Sequence, residues 1–558
     1  MQMRFALYSF WVALALFLPS AVHAATYTVG PSGRDYTQLS TLVDSVNLEP
    51  GDMVLVDGGT TYNGDIIVRS GDRGAPGNPV TFRWNRSVGS TRPVLQGGTH
   101  TIKFQQSNHV VFDGFDVRGG TLSCVFSEAH DVTVRDAIIR DCPSHGILGA
   151  DNNSGSFTLE YSEIFNSGDG TRRHSIYMQS DEVAYPGSVF RMQYNYVHSP
   201  TGGVLVRVRH ERAEIYYNWI EGDASNGYGE VELIGPDCET QQPGWSADLR
   251  REDADLVGNV IVHNNPGWRN AVRIGGDLNG RSQGRVRMVN NTVLFTNSGQ
   301  ANAVMVQLGA GSLEMHNNVI YQAPAGSSPA IVRENPASNV STPYCGPQSR
   351  EPWTDGRKVA GSNNWVQSSA QLVPQEWTGT LSGSNPMFAS IAQRQLRPAA
   401  ASPLVSAGNP QPVTPSAFPF PSPLLLPQFD PPLRAKMAIG AEVVRSPGAR
   451  VDIGALESTS GSAAPIPMNG AQPLIPPSAV KPVAPAPAHP RAGSRTQLPE
   501  TGTDDVAPAG SRGSGRPATG KPGLQNEAVW ITSPIMMLWL RLNRWIDERS
   551  TQDAPEVR

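Results

Sequence analysis

The sequence predicts an all-β chain wound into a solenoid, and three observations carry that prediction. One signature recurs: "VTVRDAIIRD" at 132, "FTLEYSEIFN" at 157, "FRMQYNYVHS" at 190, "AEIYYNWIEG" at 213, "ADLVGNVIVH" at 254, "VRMVNNTVLF" at 286 and "LEMHNNVIYQ" at 313. Each copy alternates apolar and polar residues, the period of a strand buried on one face. Each also sets a small or polar residue at one point: Ala137, Ser162, Asn195, Asn218, Asn259, Asn291 and Asn318, with "VVFDGFDVRG" extending the series back to Phe115. The spacings run 22, 25, 33, 23, 41, 32 and 27, so the minimum holds while the excess varies. Coils that need a fixed length to close, with insertions at their corners, give that pattern. An antiparallel sandwich gives no reason for one strand-Asn-strand signature to repeat.

The elements follow in order. Arg4 precedes the apolar run "FALYSFWVALALFL", broken at Pro19 and followed by Val22-His23-Ala24, the pattern of a secretory signal peptide over 1–24. Its apolar core is too short to span a bilayer, so the mature chain is expected to begin at Ala25 and to be secreted or held in the periplasm or cell envelope. Leu39, Leu42, Val43 and Val46 form the stripe of an amphipathic helix, placed here as the cap that every solenoid end requires. The coils fill residues 25–458. From 459 to 526 the composition turns to Pro, Ala, Gly and Ser, as in "VKPVAPAPAHP", and predicts a disordered linker. Residues 527–549 then predict a short amphipathic helix, with Ser533 as N-cap, Pro534 at the first turn and Ile535, Leu538, Trp539, Leu542 and Ile546 on one face. Such a helix suits contact with a membrane surface or an envelope protein. "LPETG" at 498–502 is similar to a sortase sorting signal but lacks the following membrane span.

Charge and cysteines narrow the function. With 44 basic and 49 acidic side chains the net charge is -5, which provides no basic field for nucleic acid. An exported chain can oxidise its four cysteines, Cys124, Cys142, Cys238 and Cys345. Cys124–Cys142 is the expected pair as sequence neighbours, with four buried thiols as the alternative.

Several stretches resemble a known family. "TYTVGPSGRDYTQLSTLVDSV", "GDMVLVDGGTTYNGDI", "GAPGNPVTFR" and "HVVFDGFDV" resemble the opening of secreted right-handed parallel β-helix proteins of the pectate-lyase-like superfamily. "SNNWVQ", "SPLVSAGNP" and "VDIGALES" resemble their closing segment. The resemblance implies a right-handed parallel β-helix, a monomer, and activity on polysaccharides. "VLVRVRHERAEIYYN" also resembles the strand around the catalytic arginine of chondroitinase B and alginate lyases of that fold. Those enzymes pair it with a lysine on the preceding coil, and "HSIYMQS" has none.

Strand alternation nominates the candidate site. With Val204, Val206 and Val208 inside, Leu205, Arg207 and Arg209 face out and His210 starts the next bend. The same parity turns Tyr177, Glu230, Glu232 and Arg273 outward and leaves His174 at a strand start. In register, Tyr177, Arg207, Glu232 and Arg273 form a column up one face. Guanidinium, imidazole, phenol and carboxylate groups together suit an acidic polysaccharide cleaved by β-elimination: Arg207 or Arg273 neutralises the uronate carboxylate, and His174, His210 or Tyr177 serves as base or acid. Arginine itself stays protonated and is a poor base. The catalytic set is thus Arg207, Arg209, His210, His174 and Tyr177, with Arg273, Glu230 and Glu232 for substrate. A calcium-assisted variant would draw on Glu230, Glu232 and Asp237; the same acids would serve a glycoside hydrolase. The purely structural alternative is an ion-pair ladder with turn histidines bonded to backbone, on a non-catalytic surface or adhesion scaffold.

Overall fold

The computed structural model describes residues 24–235, 252–276, 284–335, 351–445 and 450–458. Residues 1–23 of the expected signal peptide, the linker, the C-terminal helix, Asp237, Cys238 and Cys345 lie outside these residues.

Three long parallel sheets wrap one apolar interior. A single coil shows the plan: Val110–Asp113 enters the 12-stranded sheet A, Asp116–Arg118 the 12-stranded sheet B and Ser123–Glu128 the 10-stranded sheet C. The next strand, Val132–Arg135, then pairs in parallel with the first, Val132 against Val110 and Val134 against Phe112. Every pairing in the three sheets joins a strand to its counterpart one coil on, which makes the fold a parallel β-helix. The inward residues are those the alternation selects: Ile176, Met178, Val206, Val208, Val231, Leu233, Val272 and Ile274 all belong to the buried core.

The repeated polar position sits at the turn from sheet A to sheet B and forms a buried amide ladder. Asn195 Nδ2 donates to Asn218 Oδ1, Asn218 Nδ2 to Asn259 Oδ1, Asn259 Nδ2 to Asn291 Oδ1 and Asn291 Nδ2 to Asn318 Oδ1, each at 3.0 Å. Each Oδ1 also accepts the backbone N–H of the residue one coil below, as in Asn195 N to Asn218 Oδ1 at 3.0 Å. The ladder runs one coil further than the repeat indicated, to Asn364. The left-handed backbone falls one residue before the ladder position: Tyr161, Tyr194 and Tyr217 have φ of 50°, 57° and 54°. The ladder asparagines therefore recur for their amides rather than for tolerance of that conformation. The turn tyrosines stack on one another at 5.0 and 5.3 Å.

The helix Leu39–Ser45 closes the first coil with Leu39, Leu42 and Val43 buried. At the other end the chain turns back along the solenoid. Asn409 N donates to Asn317 Oδ1 at 2.7 Å, Arg287 Nη2 to Pro423 O at 2.8 Å and Arg434 Nε to Glu221 at 2.8 Å. Phe429 packs on Tyr194 and Tyr217, Lys436 pairs with Asp136, and Tyr161 donates to Glu442. These partners lie on sheets A and B and the turn between them, so the returning segment lines that side of the solenoid. Cys124 and Cys142 form a disulfide. Among the described residues no helix is long and apolar enough to cross a membrane.

Candidate functional site on the outer face of sheet C

Register on sheet C aligns Tyr177 with Arg207, Arg207 with Glu232 and Glu232 with Arg273. The same column continues to Met305 and Arg333 above, and to Leu148, Phe126 and Lys103 below. Sequence reasoning stopped at four members, although the parity that found them applies equally to "SCVFSE" and "NAVMVQ". The column thus changes character along the axis: an apolar and aromatic stretch leads to Tyr177, where the charged stretch begins.

The charged stretch is tightly bonded. Glu232 pairs with Arg207 through Oε2 and accepts from Arg273 Nη1 at 3.2 Å through Oε1. The side chains of Arg207 and Arg273 keep 14% and 15% of their surface exposed against 4% for Glu232, so the arginines hold the exposed surface of the group. Arg273 Nη2 also donates to Gly276 O at 3.1 Å. With the Gln307 amide turned so that its oxygen faces Arg273, that oxygen accepts from Nε and Nη2 at 3.1 and 2.8 Å. Arg209 Nε donates to the Tyr177 phenol oxygen at 2.9 Å, and the Arg207 guanidinium stands 5.7 Å from the centre of the same ring. Two guanidiniums therefore share one carboxylate, and a third bonds the neighbouring phenol.

Four placements differ from those the alternation predicted. Arg209 is buried, its Nη1 donating to Gly235 O. Leu205 is fully buried, and Glu230 is buried with Oε2 2.8 Å from His263 Nδ1. Outward residues at the start of each sheet C strand lie beneath the turn from sheet B, and His263 ends a sheet B strand. Glu232 is buried as well, between its two arginines. Pointing outward on a strand is not the same as meeting solvent when a corner or a long neighbouring side chain covers it.

The histidines are enclosed rather than presented. His174 is buried, and its Nδ1 accepts the Val204 N–H at 2.9 Å. Burial, reinforced by Arg207, holds its pKa well below the ordinary imidazole range. His210 has no exposed surface, its Nε2 donates to Gly155 O at 3.0 Å, and burial lowers its pKa to about 4. Both rings are neutral backbone-bonding groups near neutral pH, and neither reaches the accessible face. His145, which the sequence did not single out, is similar: its Nδ1 accepts from His174 N at 3.1 Å, and burial takes its pKa to about 3.

Among the described residues, Glu230 and Glu232 do not assemble a cation site with each other. Glu230 is committed to His263 and Glu232 to two arginines, and among the described residues no group of three or more His, Cys, Asp or Glu can hold a metal. Hard cations need several oxygen ligands on one centre, and these two carboxylates are each engaged by a different cation.

Ion pairs of the same kind occur on sheet A, where Arg212 and Arg287 flank Asp255 at 3.1 and 2.6 Å. There Arg287 is fully buried beneath Ser422 and Pro423 of the returning segment. Arg212 keeps 12% of its side-chain surface, close to the 14% and 15% of Arg207 and Arg273 on sheet C, so Arg287 is the member of these stacks that is closed off.

No family model and no curated protein matches the chain. Among solved structures, the chain is similar to pectate lyase Pel9A at 14% identity and a TM-score of 0.47, over 79% of this chain and 98% of that one. It is similar to an alginate lyase from Paenibacillus sp. str. FPU-7 at 17% identity and a TM-score of 0.36, over 55% and 98%. A rhamnogalacturonan lyase aligns at 14% identity and a TM-score of 0.38, over 66% and 92%. At these scores the reading of the site rests on the chain's own geometry.

Proposed function

We propose that this is a carbohydrate-active β-helix protein that cleaves an acidic polysaccharide by β-elimination on the outer face of sheet C. One observation carries the reading: Arg207 and Arg273 keep partly exposed side chains in register with Tyr177, whose phenol oxygen accepts a hydrogen bond from a third arginine. Guanidinium forks recognise carboxylates. Rigid strands hold them at fixed spacing better than loops do.

Elimination from a uronate asks for three things. The C6 carboxylate must be neutralised so that charge can build on it, the C5 proton must be removed, and the oxygen leaving C4 must be protonated. Arg207 and Arg273 serve the first, with Glu232 holding both guanidiniums in place. The C5–H electrons become the C4=C5 double bond as the C4–O bond breaks. Enclosure of His174 and His210 leaves Tyr177 as the proton carrier among the groups nominated. As phenolate it takes the C5 proton, and as phenol it returns that proton to the leaving oxygen. The bond from Arg209 Nε favours the phenolate, because a hydrogen bond from a cation strengthens when its acceptor becomes charged. A hydrolase needs two carboxyl groups flanking the bond; Glu230 and Glu232 are bound elsewhere.

The test is a screen of the mature chain on alginate, pectate, glycosaminoglycans and bacterial exopolysaccharides, following ultraviolet absorbance and reducing ends together. Both should rise on at least one acidic glycan, and Arg207→Ala should abolish both with an unchanged fold. Reducing ends without absorbance would replace elimination by hydrolysis, and silence of the native chain on every glycan would favour the scaffold reading.

A further inference from the structure

A second recognition feature lies beside the arginine column, at the turns that lead from sheet B into sheet C. A cavity of about 310 Å³ opens there, lined by Thr201, Ser225, Asn226, Tyr228, Asn265 and Trp268 together with four glycines. The turns belong to the coils that carry Arg207, Glu232 and Arg273, since Val204–Arg209, Gly229–Ile234 and Asn270–Gly275 follow them directly. The cavity and the charged column therefore share one stack of strands. At roughly 3.3 Å per strand residue, the strand starts stand about 10 Å from the arginines.

Its chemistry contrasts with that of the column. No lining residue carries a charge. Tyr228 and Trp268 are half-buried and perpendicular, with ring centres 5.4 Å apart. The remaining side chains are hydroxyls and carboxamides, which both donate and accept. Glycines leave the space unfilled: at Gly170, with φ of 51°, an added Cβ would meet nothing within 4 Å.

The wall is also braced from behind. His263 Nε2 donates to the Trp268 carbonyl at 2.8 Å while Nδ1 binds the buried Glu230 at 2.8 Å. Burial opposes charge on His263, but Glu230 and the accepting carbonyl outweigh it and hold the imidazole above its ordinary range, while burial raises Glu230. Asn265 Nδ2 donates to Gly227 O at 2.7 Å and ties the two upper turns together. The aromatic wall is thus fixed before any ligand arrives, which lowers the ordering cost of binding.

We infer that this cavity binds a neutral pyranose. Aromatic faces pack on the apolar C–H face of such a ring, and amides and hydroxyls meet its hydroxyls. With no cation among its lining residues, the cavity offers a uronate carboxylate no charged partner. Taken with the proposed function, on which this extension rests, the substrate is a heteropolysaccharide whose acidic residue lies on the arginine column and whose neutral residue or side branch enters the cavity.

The experiment titrates the full chain with the neutral monosaccharides glucose, galactose, mannose, rhamnose and xylose, and separately with glucuronate and galacturonate, following ligand resonances by saturation-transfer NMR. At least one neutral sugar should bind in the millimolar range, with equal strength to the native chain and to Arg207→Ala. Trp268→Ala should weaken it at least about tenfold, and Asn226→Ala should weaken it without touching the aromatic wall. Melting curves establish that each variant is folded. Neutral binding that survives in folded Trp268→Ala and Asn226→Ala overturns the assignment, as does binding of none of the neutral sugars. Loss of lyase activity on every glycan with neutral binding intact would remove the proposed function and leave the cavity assignment standing.

Discussion

Tyr177→Phe separates chemistry from architecture at the proposed centre. The substitution removes one oxygen and keeps the ring, so the contacts of that ring with His174 at 5.3 Å, His145 at 5.8 Å and the Arg207 guanidinium at 5.7 Å remain available. What goes is the acceptor for Arg209 Nε at 2.9 Å. A hydrogen bond with one charged partner is worth about 1.5 to 3 kcal/mol, and Arg209 keeps its bond to Gly235 O, so the stability cost should sit at or below the low end of that range. General acid-base catalysis contributes about a hundredfold to ten-thousandfold, so kcat on a susceptible glycan should fall by that factor. KM should move little, since the carboxylate is held by Arg207 and Arg273. The assay is the initial rate of ultraviolet absorbance on the glycan found by the screen, measured across pH at a temperature where melting curves show both proteins folded. The alkaline-rising limb of the native pH–rate profile should be absent from any residual activity of the variant. A variant that keeps kcat within a few-fold of the native value, with its pH profile unchanged, refutes the assignment of Tyr177 as proton carrier. It would not touch the roles given to the arginines.

Two further predictions concern the scaffold. Asn218 makes five side-chain hydrogen bonds at 2.9 to 3.0 Å inside the ladder. Asn218→Leu orphans the buried Asn195 N–H and takes a donor from the Met192 and Tyr216 carbonyls, and at about 1 to 3 kcal/mol for an unsatisfied buried donor it should destabilise by about 2 to 4 kcal/mol in urea unfolding; a loss under about 0.5 kcal/mol would mean that the ladder contributes little. The second prediction is a pH dependence with opposing parts. Burial lowers His145 and His210 to about 3 and 4, so as pH falls below 6.5 the unfolded chain takes up protons that the folded rings refuse, and stability declines by up to about 1.4 kcal/mol per pH unit for each. Burial beside Glu252 and Glu211 raises Glu182 to about 9, so its folded form stays protonated while the unfolded form ionises, and stability declines as pH rises from 4.5 toward 9. Urea titrations should therefore show Glu182→Gln more stable than the native chain at pH 7 to 8, and His210→Gln with a shallower acid decline; the reverse order for either would contradict the burial argument.

What the sequence made legible follows from what a repeat can encode. Alternation in "VLVRVR" and "GEVELI" selects the faces, and because each coil must close before the next begins, the same alternation aligns Tyr177, Arg207, Glu232 and Arg273 without reference to any partner. It does not reveal what lies over a face. Glu230 and Glu232 are both outward in "GEVELI", yet one ends against His263 at a corner and the other between two arginines of neighbouring coils. His174 and His210 look like accessible turn residues until the backbone groups they bond are known, and those come from residues 30 and 55 positions away. The largest non-local effect is the returning segment. Arg287 differs little in sequence context from Arg273, but Pro423, 136 residues downstream, accepts from Arg287 and closes it off, whereas Arg273 keeps an exposed edge beside Glu232. Two similar arginines thus acquire different availability through covering, a property no local pattern carries. The part of the site that was legible is its composition and register; the part that was not is its exposure. Exposure is what separates the enclosed Arg287 from Arg207 and Arg273, whose side chains keep 14% and 15% of their surface.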